Sequence, residues 1–152
     1  YESKIDVYRA VISNEMSRVV ERLEMVVALD MPVHQKIMEL IYAHFKVLKE
    51  VVDNNGTLKS SFFRNIWYLE HFRKDFDEQE KVILQSVIME GKSIGVFHVS
   101  NVKRAADVIN YCMRGFEVPY ISGRLWKGNT REEIKQDTQR MVFGILGCID
   151  RI

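Results

Sequence analysis

Histidine and cysteine are the residue types in this chain best able to bind a metal or to act as nucleophiles. The histidines form neither an H-x-x-x-H nor an E-x-x-H pair, so the spacing of helical zinc and di-iron ligands is missing. Each is predicted to be a surface residue or a hydrogen-bonded core residue: His34, His44, His71 and His98. Cys112 and Cys148 lie in no C-x-x-C motif and are predicted to be reduced, buried thiols of a cytoplasmic protein. The sequence therefore predicts no metal site and no cofactor.

The signals for catalysis are equally weak. Gly91-Lys92-Ser93 resembles the end of a phosphate-binding loop, but Ser86 stands where that loop requires a glycine, and no strand precedes it. The chain contains no G-x-S-x-G elbow and no locally supported Cys/His pair. We predict that this protein is not an enzyme.

The composition indicates one globular domain. The 152 residues are 47% hydrophobic and 28% charged, which is enough apolar surface for a single core and argues against disorder. The 22 basic residues barely exceed the 21 acidic ones, so the chain lacks the positive excess that phosphate-binding surfaces usually carry. No apolar run approaches the roughly 18 residues of a membrane span, and no membrane association is predicted.

Apolar residues recur at intervals of three and four along most of the chain, which predicts an all-α fold. Helix ends are indicated by Pro32, by Gly56 and Gly95, and by capping sequences at Ser3 and Thr130. We predict six helices, near 3–30, 32–53, 57–72, 82–94, 102–116 and 130–149, with a solvated charged connection at 73–80 and a loop at 118–129.

The third predicted helix is unusually aromatic, with apolar groups over most of its circumference. Both core packing and the wall of a ligand pocket are compatible with this pattern, and apolar ligands commonly bind between helices. The aromatic residues are Phe62, Phe63, Trp67, Tyr68 and Phe72.

Two motifs resemble those of tetracycline-repressor-type (TetR) transcription regulators. The first is the turn formed by Gly91, Gly95 and Phe97, which is followed by an amphipathic helix ending in Gly115. The second is the segment 1–8, in which an aromatic residue, a spacer, Ser-Lys, an acidic residue and apolar positions succeed one another. In that family such a segment joins the DNA-binding head to the body, so the resemblance implies that 1–4 end the junction and 5–152 form the ligand-binding and dimerisation domain.

The resemblance also implies a role. Such a domain binds a small apolar or aromatic effector and thereby controls operator binding by a helix-turn-helix domain, which here would precede Tyr1. It forms a homodimer in which the last two helices pack against their symmetry mates as a four-helix bundle.

Positions on the predicted helices supply candidate residues for both surfaces. For the dimer interface these are Val108, Tyr111, Met113, Phe143, Gly144, Gly147 and Cys148. For the effector pocket they are Tyr42, Phe45, Phe63, Trp67, His71, Met89, Tyr111 and Trp126. The alternative to a regulator is a stand-alone helical bundle that acts as an adaptor or binds hydrophobic ligands without any DNA-binding domain.

Overall fold

The computed structural model describes residues 4–54, 66–121 and 131–148. Throughout these ranges every regular element is helical, which confirms the all-α prediction. The helices are α1 (Lys4–Val27), α2 (Val33–Asn54), α3 (Ile66–Ser93), α4 (Val102–Ile121) and α5 (Arg131–Leu146). None of them, over the described residues, has an apolar stretch long enough to cross a bilayer.

The first two helices follow the local chemistry of the chain closely. α1 ends three residues before Asp30, and Pro32 opens the next helix by accepting hydrogen bonds on its carbonyl from the amides of Gln35 and Lys36. Since proline has no amide hydrogen to satisfy, it suits the first turn of a helix. α1 packs against both α2 and α3, so it contacts two of the helices that form the centre of the molecule. The Ser3 cap and the segment 1–3 lie outside the described residues.

The predicted solvated connection at 73–80 is wrong. These residues lie inside α3, which continues without a break from Ile66 to Ser93. Arg73, Asp77 and Glu80 are buried, whereas the charged residues between them face solvent. Spacings of four and three place the buried residues on one helix face, and their opposite charges make that burial possible. Of the predicted third helix near 57–72, only the residues from Ile66 onward are described, and they form the first part of α3.

A Schellman motif ends α3. The amide of Val96 donates to the Gly91 carbonyl at 2.8 Å, and the amide of Gly95 donates to the Lys92 carbonyl at 3.2 Å. Gly95 has φ +79°, a conformation that non-glycine residues rarely adopt. A Cβ on Gly91 would lie 2.1 Å from a ring carbon of Phe97, so this position has room only for hydrogen. Both glycines of the predicted turn are therefore required by its geometry.

The α3–α4 connection packs against the end of α5. The helix ends in a second Schellman motif, with Gly147 at φ +63° and the amide of Cys148 donating to the Phe143 carbonyl at 2.8 Å. The amide of His98 donates to the Leu146 carbonyl at 2.8 Å, and a Cβ on Gly147 would lie 2.6 Å from the His98 carbonyl oxygen. This contact joins the end of α5 to the turn after α3.

Helix α4 begins as expected but is longer than predicted. The side-chain oxygen of Asn101 accepts from the amide of Arg104 at 2.8 Å, which is an N-cap. The helix then continues through Pro119 to Ile121, so the predicted loop at 118–129 is wrong over its first four residues. Pro119 has no amide hydrogen to donate to the Gly115 carbonyl, and the helix continues for two residues beyond it.

The described helices enclose one apolar core. Every one of the five helices, together with the turn after α3, contributes to the largest fully buried side chains of this core. These side chains are Leu23, Ile37, Leu40, Ile41, Phe45, Leu84, Ile88, Phe97, Ile109, Phe143 and Leu146. A charged cluster interrupts this core where α2, α3 and α4 meet.

Candidate functional site

A buried histidine is held between two buried carboxylates at the centre of the bundle. His44 of α2 has its Nδ1 atom 2.5 Å from Oε2 of Glu80 on α3 and its Nε2 atom 2.8 Å from Oε1 of Glu117 on α4. The side chains of all three residues are at most 2% exposed. One imidazole ring therefore connects three helices inside the core.

An arginine completes the pairing of Glu117. Both terminal nitrogens of Arg73 donate to its carboxylate, Nη1 to Oε2 and Nη2 to Oε1, the second at 2.7 Å. Nη2 also lies 3.3 Å from Oδ1 of Asp77, one turn further along α3, and the other oxygen of Asp77 is 3.7 Å from Nη1 of Arg114. Bidentate pairing of this kind is the strongest arrangement available to a guanidinium and a carboxylate.

The other end of the cluster is an amide. Nδ2 of Asn110 on α4 donates to Oε1 of Glu80 at 2.9 Å. We refer to His44, Arg73, Asp77, Glu80, Asn110, Arg114 and Glu117 as the buried polar cluster. It contains three cationic groups and three carboxylates when His44 is protonated, so it is balanced in charge.

The geometry requires His44 to be an imidazolium. A neutral imidazole has one N–H donor and one acceptor nitrogen, whereas both of its ring nitrogens here face carboxylate oxygens, which only accept when ionised. Burial by itself lowers the pKa of His44, but the charge of Glu80 and the hydrogen bonds from Glu117 and Glu80 outweigh burial and raise this pKa to about 9. The ring is accordingly cationic at neutral pH.

The partner groups respond to the same environment. Burial opposes the charged form of Glu117, yet the nearby charge of Arg73 and the hydrogen bond from His44 lower its pKa to about 2. The same pairing raises the pKa of Arg73 against the effect of burial. Burial raises the pKa of Asp77, because its contacts to Arg73 and Arg114 are too long to offset desolvation completely.

Aromatic rings form one side of the cluster. The His44 ring packs edge-on against Phe45 with centroids 5.1 Å apart and lies 5.8 Å from the ring of Phe76. Phe45 in turn contacts Tyr120 of α4 at 5.4 Å, and the guanidinium carbon of Arg73 is 5.6 Å from the centre of the Phe76 ring. The Arg73 end of the cluster therefore lies against aromatic rings that belong to the packed core.

The cluster is not arranged for catalysis or for metal binding. Its central groups are withdrawn from solvent and already paired with one another, so none is free to meet a substrate. Across the described part of the chain, no group of three or more His, Cys, Asp or Glu residues could hold a metal ion. Within the same ranges two buried polar atoms lack a hydrogen-bond partner, Nε of Arg73 and Oδ1 of Asn110. What the cluster can do is couple the positions of the three helices that it joins.

The predicted pocket residues fall into three groups. Phe45 is completely buried beside His44, and Tyr42 is half-buried with the ammonium of Lys135 5.1 Å from its ring. Met89 and Tyr111 are instead surface residues, 52% and 57% exposed, so the structure does not place them with Phe45. Phe63 and Trp126 lie outside the described residues, as do the side chains of Trp67 and His71, whose backbone belongs to α3.

The predicted interface residues are also divided. Val108 and Tyr111 of α4 and Gly144 of α5 are exposed, and the ammonium of Lys81 lies 4.9 Å over the Tyr111 ring. Gly147 packs against the backbone of His98. The remaining three contribute to the core of the chain itself: Met113, Phe143 and Cys148.

Two cavities lined by described residues lie beside α4 and α5. The one between α2, α4 and α5, lined by Ile41, Met113 and Val142 among others, measures only about 10 Å³, which is room for a single water. A wider groove on the surface is bordered by His98, Arg104, Val108 and Ile145.

Sequence reasoning missed most of the buried polar cluster. It predicted that His44 is either a surface residue or a hydrogen-bonded core residue, and the structure shows the second. The charged members on α3 were assigned to solvent, although Arg73, Phe76, Asp77 and Glu80 continue the apolar stripe of Leu84 and Val87 at helical spacing. That continuity was the available signal. Nothing local indicates that Glu117 pairs with Arg73, which precedes it by 44 residues, and with His44, which precedes it by 73 residues.

Comparison with known proteins gives no further constraint. No protein-family model matches the chain, and neither a curated protein nor a solved structure matches it.

Proposed function

We propose that this chain is the effector-binding and dimerisation domain of a bacterial TetR-like transcription regulator. The observation that carries the proposal is the geometry of the turn after α3, on which the resemblance depends. Gly91 has no space for a methyl group beside Phe97, and Gly95 adopts a positive φ. The glycines on which the resemblance depends are therefore the ones that this turn needs, and the turn is hydrogen-bonded to the end of α5.

A face of α4 and α5 supports self-association. Gly115 and Gly144 stand inside helices on exposed surface, and a Cβ added to either would meet no atom of the described residues within 4 Å. A glycine inside a helix costs about 1 kcal/mol relative to alanine, and packing among the described residues provides no reason for it here. Close approach of a second helix does provide one. Val108 and Tyr111 lie exposed on the same stripe of α4 as Gly115.

The buried polar cluster supports the effector-binding part. It joins α2, α3 and α4, and α1 packs against two of these helices. An effector that rearranges the cluster shifts α1, which in this proposal leads to the DNA-binding head. A coupling of about 1–3 kcal/mol between the two sites changes operator affinity about 5- to 150-fold.

The decisive experiment uses the complete gene product. We expect the open reading frame to encode a helix-turn-helix segment before Tyr1, and the complete protein to bind DNA near its own gene as a dimer. The 152-residue chain serves as the control and should not bind that DNA. An open reading frame without such a segment would refute the regulator and favour a stand-alone bundle.

Self-association is tested with the two exposed glycines. The double variant Gly115→Ala, Gly144→Ala should keep or raise the melting temperature while its dimer dissociation constant rises about tenfold or more in sedimentation equilibrium. Gln79→Ala on the exposed side of α3 is the matched control and should dissociate like the wild type. An unchanged dissociation constant in the double variant would exclude this face as the interface.

A further inference from the structure

We infer that two copies of this chain associate with α4 and α5 each antiparallel to the same helix of the partner, so that Asp137 pairs with the partner's Arg140. The inference rests on the proposed dimerisation and specifies its geometry. Two rows of exposed residues support it. The α4 stripe consists of Arg104, Val108, Tyr111 and Gly115. The α5 stripe consists of Glu133, Asp137, Arg140 and Gly144.

Both stripes have the same spacing, with steps of four, three and four residues. Such steps keep all the residues of a stripe on one face of their helix. The steps are also the same in both directions along the chain. A twofold axis through the middle of a stripe therefore brings its first position over the last position of the partner, and its two central positions over each other. A face that pairs with its own copy requires this, because residue i must meet residue j while j meets i.

Charge favours the antiparallel arrangement of α5. Asp137 and Arg140 are 72% and 60% exposed and lie 3.0 Å apart within one chain, where an exposed ion pair contributes little. In the antiparallel dimer each of them also meets the opposite charge of the partner, so the four groups alternate in sign around the axis. If the two copies of α5 ran parallel instead, each charge would meet its own copy, and juxtaposed like charges are unfavourable.

Size favours the same arrangement and accounts for both exposed glycines. Arg104 begins the α4 stripe and lies over the partner's Gly115, which ends it. Glu133 begins the α5 stripe and lies over the partner's Gly144. No atom of the described residues lies within 4 Å of a Cβ placed on either glycine, so each leaves open space for the stem of a long side chain. Each glycine is thus opposite a long polar residue.

The middle of the α4 stripe supplies the apolar contact. Val108 and Tyr111 are 38% and 57% exposed, and in the antiparallel dimer each packs against the other on the partner. Ile145 of α5 borders the same surface groove as Val108. Association removes these apolar groups from water, which is the main favourable contribution to most protein–protein contacts.

The test mixes two charge variants of the 152-residue chain. Asp137→Arg and Arg140→Asp each replace the two opposite-charge contacts between copies by like-charge contacts. Each variant alone should therefore dissociate with a constant about tenfold or more above that of the wild type in sedimentation equilibrium. A mixture restores both contacts, because one copy then carries two cations at these positions and the other carries two anions. Native mass spectrometry of the mixture should show mixed dimers well in excess of random pairing.

The matched control uses an exposed ion pair on another helix. Lys49 and Asp53 lie 3.4 Å apart on α2, with side chains 39% and 50% exposed. A mixture of Lys49→Asp and Asp53→Lys should pair at random, and each variant should dissociate like the wild type. Both pairs are lost within one chain in the same way, so a preference confined to the α5 variants arises between copies.

A second mixture tests size. Gly115→Leu should weaken the dimer, because the leucine occupies the space of the partner's Arg104. Arg104→Ala in the other copy vacates that space and should restore association with Gly115→Leu. The melting temperatures of these surface variants verify that each chain is folded.

The possible results separate this inference from the proposed function. Random pairing of the two α5 charge variants, or wild-type dissociation constants for each of them alone, would overturn the antiparallel geometry while leaving the dimer in place. A wild-type chain that stays monomeric at the highest concentration tested would overturn the inference together with the proposed dimerisation.

Discussion

The protonation of His44 makes a strong prediction about stability at alkaline pH. The pKa of this residue is about 9 in the folded chain against 6.5 for a free histidine, so the folded state holds the proton more tightly than the unfolded state. This difference of about 2.5 pKa units corresponds to a stabilisation on the order of 3 kcal/mol, at 1.36 kcal/mol per unit. Because the folded pKa is raised, the stabilisation is complete below pH 6.5 and disappears as the pH rises to about 9.

The assay is urea unfolding followed by circular dichroism at a series of pH values. We expect the free energy of unfolding of the wild type to fall by up to about 3 kcal/mol between pH 6.5 and 9.5. His44→Gln should lack this fall and should be less stable at pH 6 by about 3–5 kcal/mol, since the glutamine leaves a buried carboxylate unpaired. His98→Gln is the matched control, because His98 is exposed, and it should reproduce the wild-type curve.

One result would refute the reasoning directly. If His44→Gln loses as much stability between pH 6.5 and 9.5 as the wild type does, the alkaline transition belongs to other groups. Should this variant fail to fold, ¹⁵N NMR of the wild-type imidazole gives the same answer, and a neutral His44 ring at pH 7 would show that the two carboxylates do not hold a proton on it.

Further predictions concern stability at acidic pH and the glycines of the turns after α3 and α5. The pKa of Glu117 is lowered from 4.5 to about 2, so its contribution is present above pH 4.5 and is lost as the pH falls to about 2. Glu117→Gln should therefore be less stable at pH 6, and its free energy of unfolding should fall less than that of the wild type as the pH is lowered from 4.5 to about 2. Glu78 is an exposed carboxylate on α3, so the control Glu78→Gln should show the same fall as the wild type. A fall as large as that of the wild type in Glu117→Gln would contradict the assignment. Gly91→Ala should lower the free energy of unfolding by about 1–3 kcal/mol, because the new Cβ would lie 2.1 Å from the Phe97 ring. Gly115→Ala is its control and should be neutral or stabilising in the monomer; equal stabilities of Gly91→Ala and the wild type would show that the ring moves aside freely. Gly147→Ala should cost about 1 kcal/mol or more, since φ is +63° and the His98 carbonyl is 2.6 Å away, and a melting temperature equal to that of the wild type would exclude this strain.

Several helix ends could be predicted from the sequence because they depend on residues next to one another. Pro32 starts α2 through its missing amide hydrogen, Asn101 caps α4 with its side chain, and Gly95 ends α3 by adopting a positive φ. Each effect acts within one turn of the chain. The end of α4 was predicted less well, because proline usually ends a helix, whereas this helix continues two residues beyond Pro119.

The candidate site was beyond such local reasoning. Arg73, Asp77 and Glu80 are residues that usually face solvent, and only the knowledge of their partners makes their burial understandable. One of these partners is Glu117, which lies 44 residues from Arg73, and another is His44, which lies 36 residues from Glu80. Charge compensation between such groups is set by how the helices pack, which short-range patterns do not report.

The sequence by itself determined that this chain is helical and where most of its helices begin and end. It also determined which glycines shape the turn after α3. Propensity, capping and backbone conformation are local properties, so neighbouring residues are enough to predict them. Only the tertiary structure decided that α3 runs unbroken through a charged segment, that His44 is an imidazolium between two carboxylates, and that Met113, Phe143 and Cys148 belong to the core while Val108 and Tyr111 face outward. The physical reason is that the free energy of a buried charge depends on atoms brought to it from distant parts of the chain.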